Sequence, residues 1–111
     1  MDKTAIKSLT DNDLDAEICK AFGNQVVQES GYWYYFSDAI STRPVPPYSS
    51  DLIEALDLVE WYWLDVAIEY TRLHDWSIAV NGEYLATARS PKQLARPIAE
   101  YMLLQMQKSM S

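Results

Sequence analysis

The run Asp11-Asn12-Asp13-Leu14-Asp15 places oxygen ligands at alternating positions, as the opening of a calcium-binding loop does. The chemistry then fails twice. The sixth position is Ala16, where the sharp turn needs glycine, and the twelfth is Phe22, where a bidentate carboxylate would close the coordination sphere. These acids read instead as first-turn residues complementing a helix dipole. His74 is the sole histidine, which excludes a paired-histidine zinc site within one chain, and Cys19, the sole cysteine, falls on the apolar side of a short helix as a small core residue. A Cys19–His74 pair has the residue types for nucleophilic catalysis, but no local motif supports it. Gly23, Gly31 and Gly82 are too scattered to build a phosphate loop. Asp57 with Glu60, and Asp65 with Glu69, share a face at helix or strand spacing, a pattern that belongs to a solvated surface more than to an acid/base pair. No catalytic residue, metal or cofactor is expected.

The aromatic residues carry the other signal. Four Trp, eight Tyr and two Phe concentrate in bursts at 32–36 and 61–63. On a strand, Tyr32, Tyr34 and Phe36 point one way and Trp33 and Tyr35 the other, so either helices cover both faces of the sheet or some rings meet a partner. Two-sided burial is the expected arrangement, although Trp and Tyr are also the types most enriched at interface hot spots. Tyr48, Asp57, Glu60, Trp61 and Tyr62 are the candidate contacts, because a proline-rich loop and a charged, aromatic helix end lie close together in the sequence.

The elements that position these residues follow from caps and periodicity. Thr10 caps a helix over about 11–22, where Leu14, Ile18 and Phe22 repeat at helical spacing until Gly23. Residues 24–31 show no clear period, 32–36 reads as a strand, and Pro44, Pro46 and Pro47 mark 43–48 as a loop. Asp51 caps a helix over about 51–61, and a period of two begins at Leu64 and predicts a strand over 64–70. Strands over 76–80 and 84–88 flank Asn81-Gly82, the dipeptide of a type I′ turn. Ser90-Pro91-Lys92-Gln93 opens a last helix to about 106, with Pro97 inside it as a source of bending. The implied class is α+β, an antiparallel meander sheet packed by helices in layers as an α-β-α sandwich.

Length and composition bound the rest. A chain of 111 residues, 49% hydrophobic and 23% charged, is expected to form a single domain with one core and to fold unaided. A net charge of −7 disfavours nucleic acid as a direct partner and favours a basic one. Charge also argues against a double-stranded RNA-binding module, whose αβββα order residues 51–106 share: Lys92 and Arg96 stand near the last helix, but Glu54, Asp57, Glu60, Asp65, Glu69 and Asp75 keep the region acidic. No apolar run approaches the ~20 residues of a membrane span. Met1-Asp2-Lys3-Thr4-Ala5 lacks the features of a secretory signal, and the lone cysteine suits a reducing cytoplasm.

Three segments carry a resemblance: Leu14-Asp15-Ala16-Glu17 with Phe22-Gly23, Arg43-Pro44-Val45-Pro46-Pro47-Tyr48-Ser49-Ser50-Asp51-Leu52, and Leu56-Asp57-Leu58-Val59-Glu60. Together with the Ser90-Pro91 helix start and the leucine-bearing helix of 94–104, they resemble the phage ABA sandwich domain. That resemblance implies a small phage or prophage protein with a sheet sandwiched by helices, and it brings no catalytic residue or cofactor. The expected role is a cytoplasmic accessory protein that binds and inhibits a host or defence component, as anti-CRISPR inhibitors do. Two other roles remain open: a sponge for a nucleotide signal, with Trp and Tyr stacking the base and Arg43, Arg72, Arg89 or Arg96 holding a phosphate, or a self-associating structural protein.

Overall fold

Side-chain caps start the helices. The computed structural model describes residues 1–71 and 75–109, without the side chain of Ser109. Helix α1 (Lys3–Lys7) begins where Asp2 accepts the Ala5 N–H at 2.8 Å, and α2 (Asp11–Ala21) where Thr10 Oγ1 accepts from Asp13 N at 3.2 Å. Asp51 Oδ1 takes the N–H groups of Ile53 and Glu54 at the start of α3 (Leu52–Trp61). Ser90 caps a 3-10 turn (Pro91–Leu94) that leads into α4 (Ala95–Ser109). Because α4 starts at Ala95, Pro97 lies in its first turn, where an α-helix leaves its N–H groups without intrahelical acceptors. The reason to expect a bend there is therefore removed.

The strands form two three-stranded antiparallel meanders. One contains β1 (Val26–Glu29), β2 (Tyr32–Phe36) and β3 (Thr42–Pro44), and the other contains β4 (Val66–Tyr70), β5 (Trp76–Val80) and β6 (Glu83–Ala88). Asn81 and Gly82 both have positive φ, +54° and +82°, as the type I′ turn between β5 and β6 requires. Leu85 is the extra residue of a bulge, since Ile78 pairs with Ala86 and Ala79 with Tyr84.

Three boundaries correct the sequence reading. Strand β1 occupies part of 24–31, where no period was visible, because Ser30 (φ +53°) and Gly31 (φ +83°) make a second tight turn that pairs Glu29 with Tyr32. Strand β3 takes the start of the proline-rich loop, since Pro44 sits on an edge strand, where a missing N–H breaks no ladder on the open side. Strand β4 begins at Val66 rather than 64, because Leu64 is occupied in ending α3.

Helix α4 is the hub. Its Ile98, Ala99, Met102, Leu103 and Met106 meet Leu14 and Ile18 from α2, Ala55, Leu58 and Val59 from α3, and Ile78 and Val80 from β5, all fully buried. The sheet β4–β6 packs on α4 and the 3-10 turn, while the sheet β1–β3 packs on α2. The class is α+β, antiparallel meanders packed by helices. Of the 32–36 aromatics, Trp33 and Tyr35 on one face of β2 and Tyr34 and Phe36 on the other are half-buried, whereas Tyr32 is 64% exposed; α2 packs on this strand, and Trp33 Nε1 donates to Asp13 Oδ1 at 3.0 Å. Among the described residues no helix is long and apolar enough to cross a membrane.

Candidate functional site

The carboxylates of α2 and α3 have different fates. On α2, Asp11 pairs with Arg96 at 2.8 Å, Asp13 accepts from Trp33, Asp15 accepts the Ser49 N–H at 2.8 Å, and Glu17 pairs with Lys20 at 3.2 Å. Asp51 caps α3 and Glu54, Asp57 and Glu60 lie on it, the helix contains no Lys or Arg, and none of the four has an ion pair among the described residues. Partial burial, then Asp57 and Asp51, raise the Glu54 carboxyl above its ordinary range. Glu60 lies in the last turn, at the negative end of the helix dipole, which opposes its charge.

Asp15 sets where the proline-rich loop lies against this helix. It is 6% exposed, and burial pushes its carboxyl up to about 6 against the opposing pull of the Ser49 hydrogen bonds. Ser49 Oγ also donates to the Asp11 carbonyl at 3.2 Å, so the loop is fastened to α2 at two points. Tyr48 is thereby placed beside Phe22, ring centroids 6.4 Å apart, and burial followed by nearby acidic groups raises its hydroxyl well above the usual phenol range.

Between loop and helix lies a cleft of about 340 Å³ whose walls include Phe22, Tyr35, Tyr48 and Trp61, with Glu54 and Asp57 beside them. A second depression of about 580 Å³ is lined by Asp57, Glu60, Trp61 and Trp63. The two share Asp57 and Trp61, so together they form one acidic, aromatic surface. Of the residues singled out from sequence, Tyr48, Asp57, Glu60 and Trp61 line it. Tyr62 does not: it packs inward on the core, its ring 6.2 Å from that of Phe22. Trp63, Glu54, Phe22 and Tyr35 were missed. Trp63 and Tyr35 had a signal, as members of the 61–63 and 32–36 bursts.

Among the described residues no arginine lines either depression. Arg96 is committed to Asp11, Glu100 and the carbonyls of Ile6, Lys7 and Leu9. Arg72 and His74 lie outside the described residues. Cys19 is buried, and burial raises its thiol, the opposite of what activates a nucleophile.

Helices α2 and α3 end in the same hydrogen-bond motif. After α2, Gly23 N donates to Lys20 O at 2.8 Å and Asn24 N to Cys19 O at 3.3 Å; after α3, Trp63 N donates to Glu60 O at 3.0 Å and Leu64 N to Val59 O at 3.1 Å. Both are Schellman caps, whose central residue adopts positive φ, +94° at Gly23 and +57° at Trp63. Glycine takes that conformation freely, whereas a residue with a side chain loses roughly 1–2 kcal/mol in it. Burial of the indole does not offset this cost, because Trp63 is 94% exposed; Trp61 nearby is 71% exposed.

Comparisons of the chain with family models, with curated proteins and with solved structures return no match. The likeness to the phage ABA sandwich domain therefore rests on the quoted residues.

Proposed function

We propose that this chain is a non-catalytic phage or prophage accessory protein that acts in the host cytoplasm, binding a basic surface of a host or defence protein and blocking it stoichiometrically. The observation that supports the reading is α3: Glu54, Asp57 and Glu60 border the two depressions with no basic partner among the described residues, beside two exposed tryptophans. Such an unneutralised acidic surface imitates the charge of a nucleic-acid backbone, and the tryptophans add desolvated contact area beside it. Tyr48, Asp57, Glu60 and Trp61 are the contacts, and Trp63 joins them. The sponge reading draws no support from these depressions, whose described lining residues include carboxylates and no arginine.

The test is inhibition. Purified RNA-guided defence complexes, titrated with the chain in a DNA-binding assay, are expected to lose DNA at a one-to-one ratio with at least one member of the panel, and the Asp57→Lys/Glu60→Lys variant is expected to leave DNA bound. Undisturbed DNA binding across the panel at molar excess, or equal inhibition by the charge-reversed variant, would overturn the reading. A stable oligomer without inhibition would favour the structural role.

A further inference from the structure

We infer that the depression between Trp61 and Trp63 is a seat for an arginine side chain on a basic protein segment, and that Trp63 occupies the cap of α3 for recognition rather than stability. The inference rests on the reading of α3 as a docking face and names the group it holds.

The two caps provide the comparison. Gly23 and Trp63 occupy equivalent positions in the same motif, with the same pair of hydrogen bonds, in one protein. The backbone requirement is thus met by glycine in one place and by the bulkiest side chain in the other. The indole of Trp63 is almost wholly in solvent, so packing within the chain does not explain it. What the left-handed turn does is turn the chain out of the helix: Tyr62 goes back to Phe22, while the next ring stands free beside Asp57, Glu60 and Trp61.

Charge complementarity selects the occupant. The depression presents two indoles and two carboxylates, and none of these carboxylates is neutralised by a described residue. A guanidinium is planar, stacks on an indole face and can bond a carboxylate through two N–H groups at once. An ammonium is a compact, strongly hydrated charge that gains less from two flat rings. The lining therefore fits arginine better than lysine, and fits no anion.

The experiment uses the whole chain and two peptides of equal length and charge, an oligoarginine and an oligolysine, at matched ionic strength, with binding followed by calorimetry. The wild-type chain is expected to bind oligoarginine more tightly than oligolysine. Trp63→Gly is expected to melt at a higher temperature than wild type yet bind oligoarginine about ten-fold more weakly. Trp63→Phe, which retains a ring, is expected to recover part of that loss. Equal affinity for the two peptides, or a Trp63→Gly variant that binds oligoarginine like wild type, would overturn the inference. Its failure is separable from that of the inhibitor reading. Inhibition that requires Asp57 and Glu60 but not Trp63 leaves the inhibitor reading standing, whereas Trp63-dependent arginine binding without inhibition leaves this inference standing.

Discussion

Asp15 Oδ1 accepts the backbone N–H of Ser49 at 2.8 Å across 34 residues of chain, and this contact fixes the proline-rich loop against α2. A buried carboxylate serves as the anchor, so the loop's attachment is tied to pH. The folded carboxyl holds its proton to about 6, above the ordinary carboxylate value of 3.8, so the stability linked to this group is present below the lower value and lost as pH rises through the upper one. The full span is up to about 3 kcal/mol. Asp15→Asn, which keeps an acceptor for Ser49 and removes the charge, is expected to be more stable than wild type at pH 8 and to flatten the pH dependence between those limits in urea melts. A variant with an unchanged slope would show that Asp15 does not set it.

Arg96 holds together parts of the chain that no sheet connects. Its Nη1 meets Asp11 at 2.8 Å, its Nη2 the Leu9 carbonyl at 2.7 Å, and its Nε Glu100 at 3.2 Å. Arg96→Met is expected to cost about 2–4 kcal/mol, because it leaves these acceptors without a donor. Arg96→Lys should recover less than half of that loss, since one ammonium cannot reproduce the fork. Urea denaturation midpoints at constant m-value would check both.

Charge at the end of α3 opposes stability. Replacing Glu60 with lysine puts a cation at the negative pole of the helix and is expected to stabilise the protein by about 0.3–1 kcal/mol at low ionic strength, with the gain fading in high salt. Thermal melts at two salt concentrations would read this. The same variant is expected to bind a basic partner less well, so the measurement separates a residue kept for folding from one kept for contact.

Gly23→Ala tests the reference cap. A Cβ at that position meets no atom within 4 Å, so the whole effect comes from the positive φ. A loss of about 1 kcal/mol is expected in a urea melt, with Gly23→Asn losing less, because asparagine tolerates the left-handed region.

Ile98 is fully buried on α4, where α2 and α3 also pack. Ile98→Ala is expected to cost about 2–5 kcal/mol with no change in m-value, as a cavity in a core that stays two-state.

Much of this was legible because caps and tight turns are local. Thr10, Asp51 and Ser90 mark their helices with side chains that bond N–H groups two or three positions on, and Asn81-Gly82 marks its hairpin by the conformation it permits. Strand β1 was illegible because Val26-Val27-Gln28-Glu29 does not alternate and Ser30-Gly31 is a less common turn pair. Strand β3 was hidden by Pro44, which argues against a central strand and says nothing about an edge. In the site, Asp57, Glu60 and Trp61 were readable from the sequence adjacency of acid and aromatic. The exchange of Tyr62 for Trp63 was not. It depends on a left-handed residue where propensity would put glycine, and no periodic pattern carries through such a turn.

The hub built on α4 also has a cost in chain entropy. The β1–β2 and β5–β6 hairpins turn through two residues each, Ser30-Gly31 and Asn81-Gly82, so each can form on a timescale of about 1–10 μs. The helical core must instead bring α4 to α2 and α1, and the Arg96 hydrogen bonds to that region span 85 to 90 residues. Closing so long a loop costs entropy before any contact offsets it. Docking α4 onto α2 and α1 therefore carries an entropic cost that neither tight hairpin turn does.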